Sequence, residues 1–402
     1  MTTAPPLRRL APAVTVAACY GAAVLLWFAF GRSVIPGRWL AVHLFTLGVL
    51  SNVVLALSDH FARTLLHSRS GHGPATRLVL LNGGVALVLA GLPTGWAVLL
   101  ATGATVATAA VLWQYLDLRR MRRSALGSRF AFVVRGYERA CGAFVHGALI
   151  GLLLGVGVLD GRWYGAARLA HLHVNLLGWG GLTLLATIVF FGPTMLRRRI
   201  EPGAEDGAAQ ALQWASAGLT VATIALLLTG AEAPVSTWAR LLAGAGLAVY
   251  AAATTSIWLA VGRTAARAPA SLERVLITAV GVWFVAVTWA DAVVVAAGAW
   301  QYLDALGTAL VLGVLLQAII VALTYLGPML RGATAADRGA LRSRLQRLAR
   351  SKAAALNGGI VLVLVATAGA VGAVPAAATV GWLLIAVVAV VSLSPLIATR
   401  AR

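Results

Sequence analysis

The chain has 402 residues, of which 60% are apolar and 11% charged, and its formal net charge is +20. That balance excludes a soluble globular domain and leaves a polytopic membrane protein, with 1–402 as a single integral membrane domain. The excess of arginine suggests nucleic acid until its location is considered, because it is confined to alternate loops.

Apolar runs of about 20 residues, enough to cross a bilayer as helices, occur about twelve times. They lie near 10–31, 38–60, 76–93, 95–116, 136–159, 166–194, 208–229, 237–262, 273–298, 302–327, 353–373 and 377–397, so the predicted fold class is all-α. In span one, Val16-Ala17-Ala18-Cys19 resembles a lipoprotein cleavage box, but the apolar run continues to Phe30, which favours an uncleaved span. Cys19 and Cys141 fall on different spans with no CxxC, and no disulfide framework follows.

Span two follows the turn GRSVIPGRW and carries His43 near one end and Asp59 and His60 near the other. The helix between those histidines separates them by about 25 Å, so they cannot share a ligand. His67 and His72 come later, in a polar loop, and are expected to be solvated. Span five places His146 near mid-membrane and Glu138 between Arg135 and Arg139, where an ion pair is expected. Span six, HLHVNLLGWGGLTLLATIVFFGPTMLRRR from His171 onward, has His171, His173 and Asn175 at one end and a Gly-Pro break with Arg197, Arg198 and Arg199 at the other. Successive helical residues turn by about 100°, so His171 and His173 point about 200° apart and are not expected to bind one ion together. Span nine holds Asp291 among apolar residues, and span ten begins with Tyr302 and Asp304. Ionisable groups within a membrane span are costly and usually face a partner inside the bundle, which makes these residues functional candidates.

Arg63, Arg69 and Arg77 follow span two, Arg119 to Arg139 follow span four, Arg197 to Arg199 follow span six, and Arg331 to Lys352 follow span ten. The opposite loops 92–96, 299–301 and 371–376 carry no arginine or lysine. The positive-inside rule then makes the basic side cytoplasmic, with both termini inside a plasma membrane and the histidine ends outside. Anionic lipid at the cytoplasmic face is the expected partner of these charges, and nucleic acid is not. Within the cytoplasmic loop 332–352, Leu341, Leu345 and Leu348 share a helical face with arginines between them, which predicts a basic amphipathic helix on the inner surface.

An internal repeat is visible. LLNGGVALVLAGL at 80–92 recurs as ALNGGIVLVLVAT at 355–367, and FFGPTMLR at 190–197 recurs as TYLGPMLR at 324–331. Setting Gly48, Gly178 and Gly313 in register aligns spans two, six and ten and makes His43, His173 and Thr308 equivalent. The predicted arrangement is three four-helix units in pseudo-threefold order.

No GxGxxG, P-loop, HExxH, GxSxG or CxxC occurs, so nucleotide, protease and thiol chemistries have no foothold. Imidazoles gathered at one level of a low-dielectric bundle suit haem iron or copper more than hard cations. The plain alternative is that each histidine hydrogen-bonds a carbonyl or Asn175 and packs the bundle.

With twelve spans, units of four helices and histidines at one end of spans two and six, the chain resembles subunit I of the haem-copper oxidases and related haem- and copper-containing membrane proteins of the nitric-oxide response. HLFTLGVLSNVVLALSDHFARTLL and the span-six stretch are also similar to membrane modules of actinobacterial proteins labelled copper oxidases, some of which carry cupredoxin domains. The resemblance implies haem b and copper as cofactors, His43 as a low-spin haem ligand, His171 or His173 as a copper ligand, and a cupredoxin or other electron-transfer partner outside. Span seven has no His-His pair and Thr308 stands where oxidases supply axial histidines, so oxygen reduction coupled to proton pumping is not implied.

The expected function is a membrane metalloprotein binding haem b or copper near the outer face, with a redox or O2/NO-related role, oxidoreductase-like if an enzyme. The alternative is a copper or small-solute transport or accessory protein without stable haem. The expected site is a bis-histidine pair of His43 and His173, with His171 as the substitute ligand and His146 completing a separate metal site. Asn175, Asp291 or Asp304 would orient the free ring nitrogens.

Overall fold

A computed structural model describes residues 10–30, 37–68, 73–125, 127–331, 334–368 and 375–397. Arg69, His72 and most of the loop 371–376 lie outside the described residues. Among those described there is no strand, and the protein is an all-α polytopic membrane protein with twelve helices long and apolar enough to cross a membrane. In chain order the helices are α1 (Ala11–Phe30), α2 (Trp39–Leu65), α3 (Pro74–Gly91), α4 (Ala97–Ser124), α5 (Ala131–Gly155), α6 (Gly161–Leu196) and α7 (Ala204–Leu228). They continue as α8 (Val235–Ala266), α9 (Leu272–Ala297), α10 (Trp300–Arg331), the short basic α11 (Ala335–Gln346), α12 (Ala349–Ala368) and α13 (Pro375–Ile397).

Two spans run well past the ends read from the apolar pattern. α2 continues from about residue 60 to Leu65 and α4 from about 116 to Ser124, because the charges that end the apolar runs are ion-paired within the protein and do not mark loops. Arg77, expected as a loop arginine, is an α3 residue only 1% exposed.

The chain divides into two compact units, Met1–Ala186 with Leu219–Ala243, and Thr187–Gly218 with Gly244–Arg402. It does not separate into three bodies, yet local devices recur at the positions that the glycine register aligns. α2, α6 and α10 each contain a π-helical turn, at Leu44–Leu50, Val174–Leu182 and Leu310–Leu316, enclosing Gly48, Gly178 and Gly313. Each of these glycines lies against the preceding span: a Cβ on Gly48 would come within 2.4 Å of the Tyr20 ring, one on Gly178 within 2.5 Å of Ala143, and one on Gly313 within 2.8 Å of Trp283. The wide turn and the missing side chain together let the two backbones approach.

Helix hairpins use glycine in the same way. Gly84 and Gly103 bring α3 and α4 together in the first unit; Gly359 and Gly381 do so for α12 and α13 in the second, and Gly218 faces the Gly246 carbonyl of α8 there. Paired amides accompany two of the π-turns. Asn52 and Asn82 exchange hydrogen bonds of 3.0 and 2.8 Å, and Gln317 and Asn357 exchange bonds of 3.1 and 3.3 Å. Asn52 and Gln317 also donate to the carbonyls of Gly48 and Gly313, which satisfies acceptors loosened by the π geometry.

In the second unit α11 begins with a capping box, Thr334 with Asp337, and buries Leu341 and Leu345 against Leu323 and Leu393. Gln346 accepts from the Leu272 N–H and donates to Glu273, pinning the end of α11 to the start of α9. The expected face of Leu341, Leu345 and Leu348 is therefore corrected on two points: it packs on protein, and Leu348 lies beyond the helix with φ 56° and is 73% exposed.

Candidate functional site

His43 is the last residue before the π-turn of α2, and His173 holds the same place in α6. The structure pairs His43 with His171 instead: their ring centroids are 6.3 Å apart and their planes differ by 20°. His171 is seated by glycine. On α5, a Cβ at Gly151 would fall 2.6 Å from the His171 ring and one at Gly147 would fall 2.3 Å from the Asn175 amide, so the i, i+4 glycines receive the i, i+4 side chains of α6. Trp39 also stacks on His43, with ring centroids 4.4 Å apart.

Both imidazoles have a defined nitrogen available. His43 Nδ1 donates to the Trp39 carbonyl and His171 Nδ1 to the Gly147 carbonyl, each at 2.8 Å. An engaged Nδ1–H leaves Nε2 as the nitrogen that can meet a ligand, the usual outer arrangement of a metal-binding histidine. Asn175 donates to the His171 carbonyl at 2.7 Å and fixes the backbone beside the ring.

The two π-turns are fastened to each other. Trp179 Nε1 donates to Ser51 Oγ at 3.0 Å, and Ser51 Oγ donates to the Thr46 carbonyl at 2.9 Å. Trp179 also packs edge-on against Phe144. These contacts set the spacing of α2 and α6 within one unit, and with it the spacing of the two imidazoles.

The remaining sequence candidates fall elsewhere. His173 is 1% exposed, with Nδ1 bonded to the Leu169 carbonyl of its own helix. His146 is exposed on the flank of α5, its Nδ1 donating to its own helix at Gly142. Asp291 and Asp304 belong to the second unit; Asp291 is 7% exposed, within the protein and not toward lipid, whereas Asp304 is exposed in the first turn of its helix. Thr308 bonds back to the Asp304 carbonyl. Among the described residues no group of three or more His, Cys, Asp and Glu is placed to hold a metal.

The arginine-rich ends of the same unit contain a cluster that the sequence reading missed. The Arg77 guanidinium bridges Asp59, at 2.9 Å, and Asp117, with Trp113 stacked against it at 6.0 Å. Arg63 joins Asp59 at 2.7 Å and Arg120 joins Asp117 at 3.4 Å, while Gln114 donates to Ser58 beside them. Glu138 pairs with Arg122 at 2.6 Å, a different partner from its sequence neighbours Arg135 and Arg139. The available signal was a carboxylate at Asp117 inside an arginine run, which hydropathy alone reads as the end of a span.

Neither a scan against protein-family models nor a search of curated proteins finds a match to this chain.

Proposed function

We propose that this chain is a membrane metalloprotein that binds haem b or copper between His43 and His171, with a role in redox chemistry or in handling a diatomic gas such as O2 or NO. The observation that carries this reading is the imidazole pair itself, near-parallel at 6.3 Å with each Nδ1 tied to a backbone carbonyl. His43 and His171 would hold such a group through the ring nitrogens that Nδ1 bonding leaves over, whereas a closed four-coordinate zinc site would need more protein ligands. A bound haem or copper would supply one-electron chemistry. The chain's own part is to hold both rings: Trp39 and Gly151 set their planes, and the Trp179–Ser51 bond sets their separation. The arginine asymmetry puts the Asp59–Arg77 ends in the cytoplasm and the histidines at the outer face of a plasma membrane, where a cupredoxin or other electron donor would dock.

One observation favours a second reading, a copper carrier or accessory protein without stable haem. Among the described residues the pair offers two imidazole nitrogens, and a copper ion held by two nitrogens alone would be readily exchanged. Protein expressed with ample haem and copper separates the readings. A Soret band of b type supports the first, and copper near one per chain without that band supports the second. A folded protein with neither sinks both.

A further inference from the structure

At the arginine-rich end of the second unit, a cleft of about 290 Å³ opens beside the α6–α7 connection. Its walls are aliphatic, with Val189 from α6, Ala208 from α7, and Ile257, Ala260 and Val261 from α8. Its rim is charged. Glu201 accepts from Arg263 Nε at 2.8 Å and from Arg267 at 2.9 Å, and Arg198 donates to the Arg267 carbonyl. Both arginines remain more than half exposed, at 57% and 54%. The two arginines hold the Glu201 carboxyl below the usual carboxylate range, so it stays ionised and keeps them at the rim through the physiological pH range. Glu201 and Arg263 line the cleft itself; Arg267 stands beside it through its bond to Glu201, and Glu205 and Asp206, in the first turn of α7, do not line it.

We propose that this cleft seats one anionic phospholipid of the adjoining leaflet, its phosphate on Arg263 and Arg267 and the first carbons of an acyl chain against Val189, Ile257 and Ala260. Small-molecule pockets run from about 300 to 1,000 Å³, so this one suits a headgroup and the head of a chain, with the remainder in the bilayer. An aliphatic floor under a cationic rim matches an amphiphile. A soluble anion would use the rim alone, and a zwitterionic lipid would gain little from two arginines. The site is independent of the histidine pair and involves none of its residues.

Native mass spectrometry of the delipidated full chain, titrated with phosphatidylglycerol or phosphatidylcholine, tests the assignment. Each arginine near a charged headgroup contributes about fivefold and the Glu201 carboxylate offsets one of the two, so wild type is expected to prefer phosphatidylglycerol by about fivefold for the first lipid bound. Arg263→Ala with Arg267→Ala should abolish that preference, and Ala260→Trp, which fills the floor and leaves the rim, should weaken first-lipid binding by about tenfold. If the arginine pair proves necessary for folding, the Ala260→Trp result decides. Unchanged binding in both variants, or no preference in wild type, overturns the proposal. Displacement of the lipid by millimolar inorganic phosphate would overturn the lipid assignment and leave a site for free anions.

Discussion

In α2–α3 and again in α10–α12, a π-turn glycine lies against the preceding span, an amide on the next turn donates to that glycine's carbonyl, and the same amide pairs with the asparagine of an LNGG stretch. The side chains placed on these two frames differ. His43, Asp59 and Arg77 in the first correspond to Thr308, Thr324 and Lys352 in the second, with Gly48 set on Gly313 and Asn82 on Asn357. Thr308 and Thr324 turn their hydroxyls to their own helices, and Lys352 donates to the Leu345 carbonyl where Arg77 meets two carboxylates. The second region therefore builds the frame with no histidine and no counterpart of the Asp59–Arg77–Asp117 cluster at the aligned positions. It follows that the frame does not require them, and that the ionisable groups of the first region serve something other than this packing.

The largest expected difference between the regions lies at their cationic positions. Arg77→Met would take from Asp59 and Asp117 the buried guanidinium they share and leave each with one more exposed arginine, a loss of about 3 kcal/mol as for other broken buried pairs. Lys352→Met removes one hydrogen bond to a carbonyl and should cost about 1 kcal/mol. Unfolding midpoints of the two variants in the same detergent give the contrast, and equal losses would break the comparison. Adding Asp59→Leu, Asp117→Leu and Arg63→Leu to Arg77→Met should recover most of the loss, since apolar replacement of the buried charged groups together is often neutral or better.

A smaller and equal effect is expected at the amide pairs. Asn82→Ala and Asn357→Ala each remove an interhelical bond worth about 1 kcal/mol in a membrane protein, so their unfolding midpoints should fall together. A loss confined to one of them would mean that the shared frame carries load in only one region.

The smallest effect is a pH dependence confined to α11, which has no counterpart in the first region and packs on α10 and α13. Thr334 donates to the Asp337 carboxylate from both its hydroxyl and its N–H and holds that carboxyl below the ordinary range. A depressed carboxyl contributes its full stabilisation above the unfolded value of about 3.9 and loses it as pH falls through the lower folded value. A spin label at Ser343 should therefore stay immobile from pH 7 to about pH 4 and loosen below that. Thr334→Ala should make the label looser near neutral pH and flatten the dependence; loosening of wild type already between pH 5 and 7 would contradict the assignment.

How much of this was legible in the sequence depended on the physics of each feature. The spans were, because a run of apolar residues long enough to cross lipid has few other uses. The arginine-rich ends were not: hydropathy falls at Asp59 and Asp117 whether those carboxylates are solvated or clamped, and Gly73-Pro74 ahead of Arg77 reads as a loop. The glycine register of Gly48, Gly178 and Gly313 pointed to real recurrences, although the π-turns around them leave no periodic signal. The histidine pairing depended on which of two residues on one helix meets α2. A regular helix could show that His171 and His173 diverge, but not which of them faces His43. The missing cue was in α5, where Gly147 and Gly151 share the spacing of His171 and Asn175 and open room for both. Leu348 failed as a helical-face residue because Arg347 has already left the helix, at ψ 136°, and Leu348 follows with φ 56°.

The central claim is that His43 and His171, and not His173, together hold the bound group. Wild type, His43→Ala, His171→Ala and His173→Leu, purified side by side after expression with haem and copper, test it through the visible spectrum and the metal content per folded chain. The account predicts that His43→Ala and His171→Ala both lose the bound group while remaining folded, and that His173→Leu retains it. Retention in His171→Ala together with loss in His173→Leu would contradict the pairing.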